Sequence, residues 1–158
     1  MKQQYGIRRA KDEDGAAALR LIRALGYVDI NPDAFELVFK AVIARQDGAV
    51  LVAEDNHGRI VGLAAVSWKL QLRLTGILVS LDELVVDSTR RGAGIGKALL
   101  DEVKGLAAGV SKPGLMPWRL QLETRRTRES YQRQFYAKNG FREVDSALMT
   151  YFGADEVL

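Results

Sequence analysis

With 158 residues and 47% hydrophobic content, the chain fits one compact domain, 1–158, able to bury roughly two-thirds of its unfolded surface. Its formal charge of +3, from 23 basic and 20 acidic side chains, is too mild to call for DNA or an anionic membrane as partner. The absence of cysteine excludes disulfides, thiolate metal sites and cysteine nucleophiles, and a single histidine argues against a histidine-based metal site.

Residues Tyr5 to Arg9 read as a short strand, followed by capping acids in "AKDEDG" and apolar positions Ala17, Leu21, Ile22 and Leu25 at helical spacing. Asn31-Pro32 then pairs an N-cap residue with proline at the first helical position, and Phe35, Val38, Phe39, Val42 and Ile43 mark one face of a second helix that Gly48 closes. In "AVLVAEDNHGRIVGLAAVSWK" two β-rich runs flank a hairpin signal at Asp55-Asn56-His57-Gly58, and "TGILVSLDELVVD" adds a third run, which together predict an antiparallel meander. Helical spacing returns from Lys97 to about Ala108. The segment "SKPGLMPW" is expected to be a loop and "RLQLET" a short strand. A last helix is predicted from about Arg128 to Lys138, ending at Asn139-Gly140, with "FREVDSALMTYF" as one or two closing strands. The order is β-α-α-β-β-β-α-β-α-β. The N-terminus has no apolar signal core and no apolar run approaches the ~18 residues of a membrane span, so a cytoplasmic location is expected.

The stretch "TRRGAGIGKALL", Thr89 to Leu100, sets three glycines among three cations and then turns apolar. Bare backbone at a helix start is an anion site, because glycine permits tight turns and the first N–H groups of a helix point outward. A Walker A loop ending at Gly96-Lys97 would need glycine at Arg91 and a hydroxyl at Ala98, and has neither. A dinucleotide fingerprint fails as well, since it would need glycine at Lys97, or glycine or alanine at Leu99. What does fit is Arg-x-x-Gly-x-Gly, Arg91-Gly92-Ala93-Gly94-Ile95-Gly96, entered from the strand "LDELVV" and leaving into the helix "KALLDEV".

That pattern resembles the acetyl-CoA signature of the GNAT superfamily of acyl-CoA-dependent N-acetyltransferases. "FYAKNGF", Phe135 to Phe141, is similar to the family's second motif and lies about 40 residues downstream with one strand between. The resemblance covers roughly Gly76 to Phe152. It implies an α+β three-layer fold whose mixed central sheet has an antiparallel N-terminal meander and a splayed parallel central pair, with helices on both faces. It implies acetyl-CoA as co-substrate, held by backbone of Leu84, Val85 and Val86 and by the cradle Arg91, Gly92, Ala93, Gly94, Ile95, Gly96 and Lys97. It further implies direct acetyl transfer to an amine, with Tyr136 donating to the departing sulfur and Asp82 or Glu83 as base. Asp82 shares the parity of Leu84 and Val86 and, by the resemblance, sits where several relatives have a catalytic glutamate, which makes it the preferred base. One departure is Glu129, where many relatives carry an asparagine, so that amide contact is not carried over.

The acceptor is expected to be a small-molecule or protein amine, no metal is implied, and a homodimer is left open. Asp29 and Asp33, in the connection of the first two helices, would suit a cationic acceptor. His57 reads as a solvated turn residue, Trp68 and Trp118 as packing residues, and the cationic run Thr124 to Ser130 as a solvated basic surface. Two rival functions share these features: an acyl-CoA-binding sensor of the same fold that has lost catalysis, and a nucleic-acid module using Arg125, Arg126 and Arg128.

Overall fold

The computed structural model describes residues 4–110 and 112–153, and its contacts divide the chain into two units, Met1–Glu123 and Thr124–Leu158. The first unit carries a five-stranded sheet in the order β1 (Tyr5–Arg9), β2 (Gly48–Asp55), β3 (Ile60–Gln71), β4 (Gly76–Val86) and β5 (Met116–Leu122). β1 to β4 pair antiparallel, as the expected meander does, and β5 pairs parallel to β4. The parallel pair needs a crossover, supplied by α3 (Ile95–Gly109). β5 begins earlier than its sequence suggests and includes Pro117, which a sheet edge tolerates because a missing N–H there breaks no ladder between two strands.

α1 (Gly15–Arg23) and α2 (Pro32–Ile43) cover one face of the sheet. The Asn31 side chain accepts a hydrogen bond from the Ala34 amide at 3.0 Å, the expected cap ahead of Pro32. Ala18, Leu21, Ile22 and Phe39 of these helices form one core cluster with Val50 and Val52 of β2, Ile60 and Leu63 of β3, and Val85 of β4. α3 lies on the opposite face. A Cβ built on Gly62, the neighbour of Leu63, would come within 2.9 Å of the Ile95 Cγ2 and 3.0 Å of the Leu99 Cδ1. Ala107, near the end of α3, packs with Ile77 and Val79 of β4, and Trp68, Trp118 and Leu120 lean on that cluster, so both tryptophans are packing residues as expected.

In β4, Val79 faces α3 whereas Val85 faces α1 and α2, although six residues of unbroken pleat would return both to one face. The register supplies the cause: Leu81 pairs with Val66 and Glu83 with Ala65, so Asp82 is an extra, unpaired residue in a β-bulge. The parallel register with β5 ends at the same point, at Leu81 opposite Leu122.

In the second unit the expected last helix is two short helices, α4 (Glu129–Gln132) and α5 (Phe135–Lys138). Gln134 between them has φ 56°, and its amide turns to the carbonyl of Tyr131, three residues back, which closes one helix before the next begins. Among the described residues 141–153 there is no strand, against the expectation of closing strands. Alternation forms a strand only where a neighbour completes the ladder, and the described part of this unit contains none.

The close approach at Gly62 makes the sheet-to-α3 distance sensitive to one atom. Gly62→Val is expected to lower unfolding stability by about 1–3 kcal/mol, the usual cost of overpacking a filled core. Urea denaturation checks this, and a variant as stable as the wild type would show that α3 does not rest on β3 at this point.

Candidate functional site

The site grows from the end of β4. Beyond Leu81, β4 keeps its pairing to β3, with Val85 opposite Leu63 and Val86 opposite Gly62, but β5 no longer accompanies it. The Asp87 amide donates to the Val61 carbonyl at 2.8 Å. Hydrogen-bonded pairs alternate along an antiparallel ladder, so Val85 also turns its amide and carbonyl toward β3, while Leu84 and Val86 turn theirs the other way. Within the first unit, no strand among the described residues pairs with that side of Leu84 and Val86. The splay expected of the central pair is present, and an extended ligand could add there as a strand does. Val85, expected as a third backbone contact, has its polar backbone groups committed to β3.

The bulge changes the reading of the two acids. Glu83 stands opposite Ala65, on the face that carries α1 and α2, whereas Leu84 and Val86 face α3. Asp82 is exposed at the bulge, where its charge adds to that of Asp47 in holding the Arg45 guanidinium above its usual value; the hydrogen bond from Arg45 to Asp47 is the larger cause. The alternation used to prefer Asp82 therefore does not extend through this strand.

After Asp87 a 3-10 turn, Ser88–Arg90, leads into the glycine loop. Gly92 and Gly94 have φ 82° and 81°, a left-handed conformation that costs a residue with a Cβ about 1–2 kcal/mol. Apart from the adjoining residues, no atom of the described residues lies within 4 Å of a Cβ built on Gly92, and at Gly94 only the Tyr5 hydroxyl among them is that close, at 3.7 Å. Conformation rather than crowding thus requires both glycines, and the space over them is open. Gly94 caps α3: its carbonyl accepts from the Ala98 amide at 3.0 Å, and the N–H groups of Ile95, Gly96 and Lys97 have no acceptor within the helix. The exposed glycines, these N–H groups and the positive end of a 15-residue helix make a cradle for an anion. Tyr5, on β1, had no motif to mark it, because it reaches the loop only through the sheet.

Most of the nearby cations are engaged. Arg90 donates to Asp55 at 2.7 Å, and Lys97 pairs with Asp101 one helical turn on. Asp87 is buried and its Oδ1 accepts from the Thr89 amide at 3.0 Å and the Thr89 hydroxyl at 2.8 Å. Its Oδ2 accepts from Arg20 at 2.9 Å and from Arg59 at 3.1 Å. The Thr89 amide, then the Thr89 hydroxyl and Arg20, hold the Asp87 carboxyl down at about 2. Asp55 is also buried, and its Oδ1 accepts from the amides of His57 and Arg59, so His57 sits exposed in a turn as expected.

In the second unit Tyr136 stacks edge-on against Phe135, with ring centroids 5.1 Å apart, and against Phe141, 6.0 Å apart. Burial pushes its phenol above the usual value, so it keeps its proton at neutral pH. In the cationic run, Arg126 pairs with Glu143, which also accepts from the Tyr131 hydroxyl at 2.7 Å, and Glu129 pairs with Arg133 at 3.3 Å. Among the described residues no helix is long and apolar enough to cross a membrane.

Comparison with known proteins adds three findings. Residues 46–143 match the family model described as "Acetyltransferase (GNAT) domain". A search of curated proteins gives no match. Solved structures of similar fold include a transcriptional regulator from Bacillus halodurans C-125 (22% identity, 94% of this chain and 99% of that one, TM-score 0.81) and glucosamine-6-phosphate N-acetyltransferase from Arabidopsis thaliana (20%, 94% and 99%, 0.72). An aminoglycoside N-acetyltransferase in complex with CoA is similar over 94% of each chain, at 16% identity and TM-score 0.77.

The carboxyl of Asp87 lies below its unfolded value of about 3.9, so its ionised form stabilises the fold above about pH 4, and that contribution is lost as the pH falls toward 2. Urea denaturation between pH 4 and pH 2 is expected to give a shallower loss of stability for Asp87→Asn than for the wild type. Equal slopes would mean that Asp87 is not ionised and bonded as described.

Proposed function

Since the chain belongs to the GNAT acetyltransferase family, we propose that it moves an acetyl group from acetyl-CoA directly to a primary amine of its acceptor. One observation carries this proposal: the backbone edge at Leu84 and Val86, which no described strand of the first unit pairs, leads through Asp87 and the turn Ser88–Arg90 to the glycine cradle at the start of α3. An extended arm ending in a diphosphate needs that sequence of contacts, first a strand edge and then an anion site.

Acetyl-CoA would supply an acetyl group already activated as a thioester. The backbone of Leu84 and Val86 holds its arm, and Gly92, Ala93, Gly94, Ile95, Gly96 and Lys97, with Arg91, hold its phosphates. An N–H on this edge also polarises the carbonyl under attack. Glu83, on the face of α1 and α2, is the first candidate to take a proton from the acceptor's ammonium, and Asp82 at the bulge the second. The acceptor side is the connection between those two helices together with the first turn of α2, with Asp29 of the one and Asp33 of the other suited to a cation. Tyr136 donates a proton or a hydrogen bond to the departing sulfur, a role supported by its protonated state at neutral pH. No acyl-enzyme is required, and no cysteine is present to form one. The single-domain extent 1–158 and a cytoplasmic site of action belong to the same proposal. A second reading, an acyl-CoA sensor without transfer, is favoured by the similar fold of a protein described as a transcriptional regulator.

Gly94→Val is expected to raise the Kd for CoA at least tenfold, since valine at φ 81° is strained and its side chain would occupy the open cradle. Calorimetric titration of the folded variant measures it, and unchanged affinity would remove the loop from the cofactor site. For the chemistry, CoA release from acetyl-CoA is followed across a panel of polyamines, aminoglycosides, amino acids, arylamines and peptide amines. With an amine that is turned over, Tyr136→Phe is expected to lower kcat about 10²-fold or more while CoA affinity and Tm stay near wild type. Near-wild-type turnover would take Tyr136 out of the mechanism, and CoA binding without release for any amine would favour the sensor.

A further inference from the structure

The loop that enters the cradle is tied to the rest of the first unit by two reciprocal ion pairs. Asp87, at the loop's entrance, accepts from Arg59 of the β2–β3 hairpin, and Asp55 of the same hairpin accepts from Arg90 of the loop. Each partner thus offers one acid and one cation. Arg20 of α1 adds a third tie, donating to Asp87 at 2.9 Å and to the Ile60 carbonyl at 2.7 Å. Both acids are buried, so each is poorly solvated and bound to these partners. At its other end the loop is held by Ile95, buried against Gly62. Ser88, Thr89 and the residues from Arg91 to Gly94 are exposed between these two anchors.

We propose that Arg20, Arg59 and Asp87, with Asp55 and Arg90, are positioning residues for the cofactor: they hold the glycine loop in the conformation that presents its amides to the diphosphate. The proposal rests on the assignment of the cradle to CoA. Its physical basis is preorganisation. A loop with two glycines in left-handed conformations and open space above them has many alternatives when free, and binding must meet the cost of ordering whatever the fold has not already ordered. The brace fixes the entrance before the ligand arrives. It also removes Arg90 from the set of cations that can reach the phosphates, and leaves the backbone as the main contact.

The test uses CoA itself as probe, with Kd by calorimetry and Tm on the same preparations. Arg59→Met, at a side chain more than half exposed in the wild type, removes one of the ties, and the double variant Arg20→Met/Arg59→Met removes two. Arg59→Lys keeps the charge. Arg8→Met is the control, because it breaks the pairs of Arg8 with Asp14 and Glu54, which do not include the loop. The double variant is expected to raise the Kd for CoA at least tenfold and Arg59→Met by a smaller factor. Arg59→Lys should recover most of the loss, and Arg8→Met should lower Tm with CoA affinity unchanged. Wild-type affinity in Arg59→Met and in the folded double variant would overturn the brace while leaving the cradle in place. An equal loss in Arg8→Met would also overturn it, since affinity would then follow general stability. Failure of the folded wild type to bind CoA would instead overturn the cradle, and the brace with it.

Discussion

The carboxylate of Asp87 stands where a strand ends and a loop begins, and it is buried. A buried carboxylate without partners costs several kcal/mol, so the surrounding chain must supply donors. It does so from three places: the next turn through Thr89, α1 through Arg20, and the β2–β3 hairpin through Arg59. All four acceptor positions are used. The path of the chain into the glycine loop is therefore determined by a group that tolerates few alternatives, and α1 and the hairpin are fixed to the loop by the same bonds.

A second constraint lies five residues upstream. The bulge at Asp82 reverses the facing of β4, so that its odd-numbered residues, Ile77 and Val79, face α3 before it, and Glu83 and Val85 face α1 and α2 after it. β5 leaves at the same place. One inserted residue thus coincides with a backbone edge at Leu84 and Val86 that no described strand of the first unit pairs, and brings Glu83 to the face of the first two helices. Electrostatics follows the same economy: Arg90 is paired with the buried Asp55 and Lys97 with Asp101, while the N–H groups and the helix dipole at the start of α3 favour an anion.

How much of this the sequence discloses depends on the range of the interactions involved. Local signals were legible: Asn31-Pro32 marks the start of α2, Asp55 to Gly58 marks the hairpin turn, and the Gly92 to Gly96 spacing marks the cradle and, by resemblance, its family. The bulge was not legible, because alternation gives the period of a strand but cannot report an insertion that the partner strand lacks, and the preference for Asp82 rested in part on that period. The brace was invisible for a different reason: Arg20 and Asp87 meet only after α1 and β4 have both found the sheet. The break at Gln134 is likewise conformational, since glutamine is an ordinary helix residue and nothing in "SYQRQFYAK" signals a left-handed φ. In "FREVDSALMTYF" alternation suggested strands, but pairing decides whether strands form.

On the proposed function, the backbone from the end of β4 through the first turn of α3 receives the cofactor. Amide hydrogen exchange, measured residue by residue with and without acetyl-CoA, addresses that stretch directly because it reads the N–H groups themselves. Slowed exchange on adding acetyl-CoA is expected at Leu84 and Val86 and from Gly92 to Lys97, with little change at Val85, whose amide already bonds β3. Binding of acetyl-CoA accompanied by protection elsewhere, with these amides unchanged, would contradict it.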